Sequence, residues 1–365
     1  MAPHKILYCI ESIGRGGTEK QLVGLINRLD RELFQPQLCT LRPSSDYLNE
    51  VACPCLELNV SRLLSPGGLA SVRRLARHVS TEGVAVVHSF FQDPTLVALP
   101  AARLGRVPVR LNSFRDLGFW RTPLQVFLMR RAYPLATGFM ANSQAVKHHV
   151  SRKDHLDPSR IKVVYNGVDT NEYRFVEHLE SEVSIGIVGN LNRRVKRTDL
   201  FLRAAARVHA RHPEVVFHVI GDGELRPEYE TLAAGLGISR CTVFAGRIED
   251  VPGYLGKLAV GVICSDSEGF SNAVLEYMLR GCAVIATSVG GNLEVIHDGE
   301  TGLLIPPGNV VALASAMTRL VEEKKTRLML TLRARAVAEE SFDWSGCVAE
   351  HQDHYAQELR RAGVV

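Results

Sequence analysis

Short runs of uninterrupted apolar residues alternate with amphipathic stripes along most of the 365-residue chain. The runs lack the every-second-residue alternation of a half-exposed strand, so they are typical of buried parallel strands. The stripes repeat at helical spacing, as in Leu22, Leu25, Ile26 and Leu29, and predict helices that pack on a sheet. Strands are predicted at 5–10, 37–41, 56–58, 84–90, 107–111, 139–143, 163–165, 183–188, 215–220, 242–245, 260–264, 283–287 and 302–305.

Repeated strand–helix units with short connections predict parallel, right-handed, doubly wound sheets. The periodicity is lost over 171–182, where acidic residues accumulate, and this loss indicates a domain boundary near residue 175. A chain of 365 residues is also longer than a chain that ordinarily folds around a single hydrophobic core. We therefore expect an α/β protein with two Rossmann-like domains, residues 1–175 and 176–340, that face each other across a cleft. Residues 341–365 are expected to form a final helix.

The composition, with 46% hydrophobic and 22% charged residues, is that of a soluble globular protein. No segment has 18 uncharged apolar residues, so no spanning helix is predicted. The first ten residues read as a strand rather than as a signal peptide. Eight scattered cysteines, with no second pair at metal-ligand spacing, predict reduced, buried structural thiols in a cytosolic protein.

Positive charge is concentrated in residues 100–160, which hold eleven Lys or Arg and three acids, although the whole chain carries only +4. The same segment contains Phe119, Trp120, Phe127 and Met129. One interpretation is a solvated basic face. The other is a patch that contacts anionic lipid or a polyanionic acceptor. No nucleic-acid recognition motif accompanies these charges, so a nucleic-acid partner is disfavoured.

Two glutamates flank the start of a predicted helix after the apolar run at 260–264. Glu268 precedes this helix, and Glu276 follows eight residues later, about two turns on, so both should lie on the same face. Between them, the amides of Gly269, Phe270 and Ser271 should have no partner within the helix. The result is a small anion site with a carboxylate at each end, which suits a nucleotide-sugar.

Other strand ends of the second half carry glycines and cations. Gly189 opens a basic loop that reaches Arg197, the turn at 221–223 follows the next strand, and Gly246-Arg247 follows a third. The carboxyl ends of parallel strands share one edge of the sheet, where a basic loop beside free amides suits a diphosphate.

The first half offers a Gly-rich turn and one histidine. The turn over 13–19 contains Gly16 and Gly17, and it matches neither a dinucleotide fingerprint nor a P-loop, so an ordinary tight turn remains an equal alternative. His88 ends a predicted strand and would face the ligand crevice, with a satisfied structural histidine as the alternative.

The chain resembles the retaining glycosyltransferases of family 4, which have the GT-B fold. The resemblance covers essentially the whole chain and is strongest over 160–345. Its motifs are the E-x7-E pair Glu268–Glu276, residues 281–287, Val289-Gly-Gly291 with Glu294, 298–304, Asn166-Gly-Val-Asp169, Gly221-Asp-Gly-Glu224 and Gly16-Gly-Thr-Glu19.

The resemblance implies a role for each matching position. Glu268 would face the transferred sugar, Glu276 would bind the ribose and Lys196 would meet the diphosphate. The first domain would bind the acceptor and the second the donor, with the final helix crossing back to the first domain. The implied donor-binding set is Gly16, Gly17, Asn190, Arg194, Lys196, Gly246, Arg247, Gly269, Phe270, Ser271, Asn272 and Glu276. The candidate catalytic residues are Glu268, Arg115 and His88.

Two departures from the family pattern concern charge and the facing wall of the site. Asn190 stands where the family often has an arginine, and Arg193 or Arg194 could substitute for it. The family's histidine near position 114 is absent, so Arg115 or Ser113 could contact the sugar.

The implied activity is retaining transfer of a hexose or N-acetylhexosamine from a nucleotide-sugar, with UDP favoured. The acceptor would be a glycan, a lipid-linked glycan or a small molecule, in cell-surface polysaccharide or glycoconjugate biosynthesis. No metal or other cofactor is expected, because no DxD-like carboxylate pair adjoins the site. The alternatives are a GDP-mannose-dependent mannosyltransferase, a GT-B epimerase or phosphorylase, and a non-catalytic sugar-nucleotide-binding or scaffold subunit. The expected location is cytoplasmic, or peripheral on the inner face of the membrane.

Overall fold

The structure, a computed structural model, describes residues 2–14, 16–44, 48–118, 121–178 and 183–364. The chain divides into two compact units. The first unit comprises residues 1–167 together with 344–365, and the second comprises residues 168–343. The chain thus enters the second unit before the expected boundary near residue 175. The early entry has a local cause, because Val176 N donates to Arg280 O and Arg335 donates to Tyr173 O inside the second unit.

The first unit is built on a seven-stranded parallel sheet in the order β3-β2-β1-β4-β5-β6-β7. Its strands are β1 His4–Ile10, β2 Phe34–Thr40, β3 Cys55–Glu57, β4 Val86–Phe90, β5 Val109–Phe114, β6 Gly138–Ala141 and β7 Ile161–Val163. Its helices are α1 Gly17–Arg28, α2 Pro66–Glu82, α3 Gln92–Leu104, α4 Pro123–Ala132, α5 Gln144–Asp154 and, from the end of the chain, α13 Trp344–Arg361.

The second unit is built on a six-stranded parallel sheet in the order β10-β9-β8-β11-β12-β13. Its strands are β8 Ser184–Val188, β9 Val216–Ile220, β10 Thr242–Gly246, β11 Val260–Ile263, β12 Ala283–Thr287 and β13 Leu303–Ile305. Its helices are α6 Thr198–His209, α7 Arg226–Gly235, α8 Val251–Leu255, α9 Asn272–Arg280, α10 Asn292–Val295, α11 Val310–Glu322 and α12 Lys324–Ser341.

Each sheet reverses its strand order beside its first strand. The reversal lies between β1 and β4 in the first unit and between β8 and β11 in the second. Ligands of open α/β sheets bind at the carboxyl ends of the strands near such a reversal. The two Rossmann-like, doubly wound units predicted from the hydrophobic pattern are confirmed, because apolar runs such as 260–263 are buried on both faces of the sheet.

Helix α4 was not predicted, since the chain from 115 to 131 was interpreted only as an aromatic, basic stretch. A capping box starts this helix: the Thr122 hydroxyl accepts from Gln125 N, and the Gln125 side chain accepts from Thr122 N. Pro123 at the first helical position provides a suitable backbone angle. The sequence Thr-Pro-x-Gln is the local signal that marks the start of this helix.

The final helix packs on the first unit through two glycines. A Cβ on Gly24 would lie 2.3 Å from the Trp344 ring, and a Cβ on Gly167 would lie 2.6 Å from it, so only glycine admits the indole at both places. Farther along α13, the Tyr355 hydroxyl lies 3.2 Å from that of Tyr8 in β1. These contacts make residues 344–361 part of the first unit's core.

Candidate functional site

Glu268 lies in the turn that follows β11, and its side chain is 8% exposed. Its Oε1 accepts from Lys196 Nζ at 2.7 Å and from Ser265 Oγ at 2.6 Å. A buried carboxylate with a cation on one side and a hydroxyl donor on the other is held in one orientation. The structure therefore brings together Glu268 and Lys196, which are 72 residues apart in the chain.

The loop that carries Lys196 is fastened to the turn that carries Glu268. Lys196 ends a single 3₁₀ turn, and the following Arg197 has φ +53°. Asp266 N donates to Val195 O at 2.9 Å, and the Arg197 guanidinium pairs with both Asp199 and Asp266 at 3.0 Å. These carboxylates raise the pKa of Arg197 further above its usual range. The cluster fixes the spacing between the two loops.

Arg194, another cation of the basic loop, pairs with a carboxylate outside that loop. Arg194 makes a two-pronged contact with Glu228 of α7, with Nη1–Oε1 at 2.6 Å and Nη2–Oε2 at 2.7 Å. Asn190, which stands where the family often has an arginine, accepts from Asn192 N through its side chain. Donor binding by Arg194 and Asn190 remains a prediction.

The turn after β12 packs directly on the backbone of Glu268. A Cβ on Gly290 would lie 1.7 Å from Glu268 O, and a Cβ on Gly291 would lie 2.3 Å from Gly269 O. Gly290 also has φ +51°, a conformation that favours glycine. The Gly-Gly pair found in the sequence is therefore a contact that shapes the Glu268 turn.

Helix α9 begins later than expected, at Asn272, with Ser271 as its N-cap residue. Gly269 and Phe270 therefore precede the helix, and the Phe270 ring is buried against Phe342 at 5.6 Å between centroids. Glu268 precedes this helix, as the sequence indicates, and its place on one face with Glu276 stays a prediction. Glu276 lies on α9, half-buried.

The Gly221-Asp-Gly223 turn packs on the 189–192 loop. A Cβ on Gly221, at φ +125°, would lie 2.0 Å from Gly189 O, and Leu191 N donates to Asp222 O at 3.1 Å. Gly221 N in turn donates to Gly246 O, and Gly246 is at φ +66° next to the exposed Arg247. The interpretation of the 221–224 motif as a structural turn is confirmed, and its contacts hold the ends of β8, β9 and β10 in register.

His88 was proposed as a catalytic residue, and the structure contradicts that role. Its side chain is completely buried in the first unit. Its Nδ1 lies 2.9 Å from the Tyr355 hydroxyl and its Nε2 lies 2.7 Å from Ser113 Oγ, so both ring nitrogens are occupied. Burial lowers its pKa well below the usual value. The helix that encloses His88 comes from the end of the chain, which the strand pattern around residue 88 does not reveal.

Arg115, the second first-domain candidate, follows β5 and is half-buried. Its Nη2 donates to Asn166 Oδ1 at 2.6 Å, and its Nε is buried without a hydrogen-bond partner. Burial lowers its pKa to about 10, against the opposing influence of Cys347, Glu19 and Tyr355. The other candidate at this position, Ser113, is occupied by His88.

Gly16 and Gly17 lie at the carboxyl end of β1, where Gly17 is the first residue of α1. Gln21 of α1 bonds to the backbone of Gly167: its side-chain oxygen accepts from Gly167 N at 3.0 Å, and its amide nitrogen donates to Gly167 O at 2.7 Å. This reciprocal pair ties the start of α1 to the Asn166-Gly167 turn. The neighbouring Arg15 lies outside the described residues.

The basic segment 100–160 separates into internal and surface cations. Arg110 donates to the carbonyls of Leu135 and Val107, and Arg121 forms an ion pair at 2.9 Å with the fully buried side chain of Asp154. The surface cations include Arg130 and Arg131 on α4 and Arg152 on α5. Met129 is buried, whereas Phe127 is 54% exposed. Phe119 and Trp120 lie outside the described residues.

Three sequence expectations concern metals, membranes and thiols. Within the described ranges, no three His, Cys, Asp or Glu side chains converge as metal ligands would. None of the described helices is both long enough and apolar enough to cross a bilayer. The interpretation of the cysteines as buried thiols is right for Cys9, Cys39, Cys264, Cys282 and Cys347, and wrong for the exposed Cys55.

Comparison with known proteins gives matches to both units. Residues 15–172 match the family model Glycosyltransferase Family 4, and residues 182–323 match Glycosyl transferases group 1. A Campylobacter jejuni protein is 26% identical over 340 residues, 91% of this chain and 92% of its own length. It is named GalNAc-alpha-(1->4)-GalNAc-alpha-(1->3)-diNAcBac-PP-undecaprenol alpha-1,4-N-acetyl-D-galactosaminyltransferase.

Two further similarities cover most of the chain. A D-inositol 3-phosphate glycosyltransferase of Kribbella flavida is 31% identical over 290 residues, 71% of this chain and 68% of its own length. Among solved structures, Anabaena HepE in complex with UDP and glucose superposes with a TM-score of 0.87 at 20% identity, covering 97% of this chain and 100% of HepE.

Proposed function

The chain belongs to glycosyltransferase family 4 and is a glycosyltransferase, and on that premise we propose that it uses a UDP-sugar. The transferred group would be a hexose or N-acetylhexosamine, and its anomeric configuration would be retained. The acceptor would be a glycan or lipid-linked glycan in the synthesis of a cell-surface polymer. Support for this acceptor comes from the Campylobacter jejuni relative, whose name specifies an undecaprenol-linked glycan.

The observation that carries the proposal is the contact between Lys196 and Glu268, 2.7 Å apart beside the carboxyl end of β11. In a nucleotide-sugar, the bond that breaks joins a sugar with hydroxyl donors to an anionic diphosphate. The carboxylate can accept hydrogen bonds from the sugar hydroxyls, and the neighbouring ammonium group can bind the diphosphate. The choice of uridine is supported by structural neighbours whose titles name UDP and UDP-glucose.

Transfer would proceed as follows in terms of bonds. The bond between the anomeric carbon and the β-phosphate oxygen breaks, and a bond from the acceptor oxygen to the same carbon forms on the same face. The proton of the acceptor hydroxyl passes to the departing phosphate oxygen. Lys196 and the amino end of α9 would stabilise the charge that develops on the diphosphate, while Glu268 would orient the sugar.

We expect this transfer to need no divalent cation, because Lys196 supplies positive charge where the diphosphate would lie. Lys196 is 28% exposed, whereas Glu268 is 8% exposed, so the ammonium group can meet a ligand from the open side of the pair. Addition of a chelator should therefore leave turnover unchanged, and loss of turnover restored by Mg²⁺ would refute the metal-free proposal.

We also propose that the exposed face of α4 and α5 contacts an anionic bilayer. Leu124 and Phe127 are more than half exposed on α4, and the Arg131 guanidinium lies 5.2 Å from the Phe127 ring centroid. Arg130 donates to Lys153 O, which joins the two helices. The one carboxylate on these helices, Asp154, is buried. Apolar side chains ringed by cations suit a surface of anionic lipid.

The donor assignment is tested by incubating the protein with UDP-glucose, UDP-N-acetylglucosamine, UDP-galactose and GDP-mannose, with and without a lipid-linked glycan. Released nucleoside diphosphate is measured in each case. Release from a UDP-sugar that depends on acceptor supports the proposal, and release from GDP-mannose alone would favour the mannosyltransferase alternative. If none of these donors binds or shifts the melting temperature, the proposed use of a UDP-sugar is refuted.

A further inference from the structure

Thr287, the last residue of β12, directs its hydroxyl to the turn that follows β11. Its Oγ1 donates to Ser265 O at 2.7 Å and lies 3.5 Å from Ile263 O. Thr287 and Ser265 are 0% and 1% exposed. A threonine side chain has few accessible χ1 rotamers, so a buried threonine holds its hydroxyl in a fixed direction. The carbonyl of Ser265 is therefore held by the end of the neighbouring strand.

The peptide group that joins residues 265 and 266 is held from both sides. Its carbonyl accepts from Thr287 Oγ1, and its N–H donates to Val195 O at 2.9 Å. Because a peptide group is planar, two hydrogen bonds on opposite sides determine the orientation of the whole unit. Val195 directly precedes Lys196 in the chain. The peptide group therefore has one anchor in the loop of Lys196 and another in β12.

The side chain of Ser265 continues this contact to Glu268. Ser265 Oγ donates to Glu268 Oε1 at 2.6 Å, so the residue whose carbonyl is held by Thr287 also orients the carboxylate. The three residues come from the ends of two strands, β11 and β12, that pair in parallel. Hydrogen bonds in such a buried place are electrostatically stronger than in water. A change at Thr287 should therefore reach the Glu268 carboxylate through Ser265.

Asn292 secures the backbone of Thr287. Its Nδ2 donates to Thr287 O at 3.0 Å, and Val289 N donates to the same oxygen at 2.8 Å. Asn292 is buried, so the bond is shielded from water. The turn that these bonds close contains Gly290, which packs on Glu268 O. The end of β12 thus contacts Glu268 directly through this turn, and also indirectly through the Thr287 hydroxyl.

We propose that Thr287 is a positioning residue for glycosyl transfer: through Ser265, it holds the carboxylate of Glu268 in the orientation that the transferred sugar requires. The inference rests on the proposed function and deepens it by assigning a role in turnover to a residue outside the candidate site. Thr287 is completely buried, so it acts through Ser265 rather than by contact with the sugar. A purely structural role would instead change the stability of the protein and leave turnover by the folded enzyme unaffected.

The test compares Thr287→Val, which keeps the shape of the side chain and removes its hydroxyl, with the unaltered full chain. Nucleoside diphosphate release from the most active UDP-sugar gives kcat and the donor KM, and calorimetry gives the UDP affinity. We expect kcat to fall about tenfold, because a slightly displaced carboxylate no longer matches the reacting sugar. UDP affinity should stay the same, because the loop of Lys196 keeps its own anchors, the Val195–Asp266 hydrogen bond and the Arg197–Asp266 ion pair.

Two further substitutions vary the strength of the donor at this position. Thr287→Ser keeps the hydroxyl and should retain at least about half of kcat. Thr287→Cys carries a thiol, which is a weaker donor, so its kcat should lie between those of Thr287→Ser and Thr287→Val. If Thr287→Val does not fold, the order of the serine and cysteine variants decides the question.

A double-mutant comparison separates positioning from stability. Ser265→Ala removes the hydroxyl that transmits the contact, so Thr287→Val should lower kcat much less in that background than in the unaltered protein. Thr331→Val is the matched control, because Thr331 is 3% exposed and its hydroxyl donates to Leu328 O at 2.8 Å within α12. This control should lower the free energy of unfolding and leave kcat unchanged.

Three results would overturn the inference. They are an unchanged kcat in Thr287→Val and Thr287→Cys, an equal loss of kcat with and without Ser265→Ala, and an equal loss of kcat in Thr331→Val. Chemical denaturation and UDP affinity show that each variant has folded. Absence of nucleoside diphosphate release by the unaltered protein from every UDP-sugar would instead refute the proposed function.

Discussion

Lys196 Nζ lies 2.7 Å from Glu268 Oε1, and Ser265 Oγ donates to the same oxygen at 2.6 Å. The carboxylate is thus oriented by two donors before any ligand is present. Such preorganisation lets a charged group act without reorganising during the reaction. Substitution of Glu268 should therefore lower turnover, whereas substitution of Lys196 should weaken binding of the diphosphate.

Glu268→Gln should lower the turnover number by about 10²–10³, because an oriented charge next to the reacting sugar is lost. Glu276→Gln should chiefly raise the KM for the donor, since this residue lies on α9 and is expected to bind the ribose rather than the transferred sugar. Initial rates of nucleoside diphosphate release with saturating acceptor measure both. Glu300→Gln, at an exposed position, is the control. Turnover that survives Glu268→Gln would show that the catalytic assignment is wrong.

Lys196→Met should weaken UDP binding by about tenfold or more, because one charge-assisted contact to the diphosphate disappears. Lys196→Arg keeps the charge and should bind UDP better than Lys196→Met. Calorimetric titration with UDP gives the affinities, and uridine serves as a probe without phosphate. The exposed Lys325→Met provides the comparison. Equal losses for UDP and uridine would argue against a role at the diphosphate.

Gly290→Ala should destabilise the protein and weaken donor binding, because the new Cβ would lie 1.7 Å from Glu268 O. Gly308→Ala is a matched control: its φ is +73°, yet nothing lies within 4 Å of the new atom. The control should cost roughly 1 kcal/mol from backbone conformation alone. Gly290→Ala should cost more than that in chemical denaturation. Equal costs, with unchanged UDP affinity, would mean that this contact does not shape the site.

The free energy of unfolding should fall as the pH drops below about 6.5. Burial lowers the pKa of His351 to about 4, so between these values the unfolded chain binds a proton that the folded chain does not. His351→Gln should reduce this dependence by about 1.4 kcal/mol per pH unit. Denaturation curves at pH 7, 6 and 5 provide the measurement. His155→Gln, at an exposed site, should match the unaltered protein, and an identical slope for His351→Gln would refute the assignment.

Binding to vesicles should depend on both kinds of side chain on the α4–α5 face. Arg130→Glu with Arg131→Glu should weaken binding to vesicles that contain anionic lipid. The loss in binding free energy should be about 1 kcal/mol for each positive charge removed. Leu124→Ser with Phe127→Ser should also weaken binding, by removing exposed apolar area. Co-flotation with neutral and anionic vesicles is measured at equal salt, with Arg103→Glu as control. Flotation of unaltered protein that does not change between the two vesicle types would reject the proposal.

Much of this architecture could be predicted from local patterns. Two parallel sheets follow from thirteen apolar runs separated by helices, and the turn at 221–223 follows from its two glycines. The candidate role of Glu268 was also predicted from the sequence, from its place after a buried strand and from its match to a family motif. These features are determined by residues within a few positions of one another, or by the period of the hydrophobic pattern.

The partners of each site residue were decided by tertiary structure. The sequence suggests that His88 faces the ligand crevice. In the structure, Tyr355, which lies 267 positions later, encloses His88 instead. Lys196 and Arg194 have similar sequence surroundings, yet one reaches Glu268 and the other reaches Glu228. Side-chain pairing across such separations depends on how loops and helices from distant segments pack. Charge and hydrophobic period therefore predict where polar groups gather, and the packing of distant segments decides which of them remain available to a ligand.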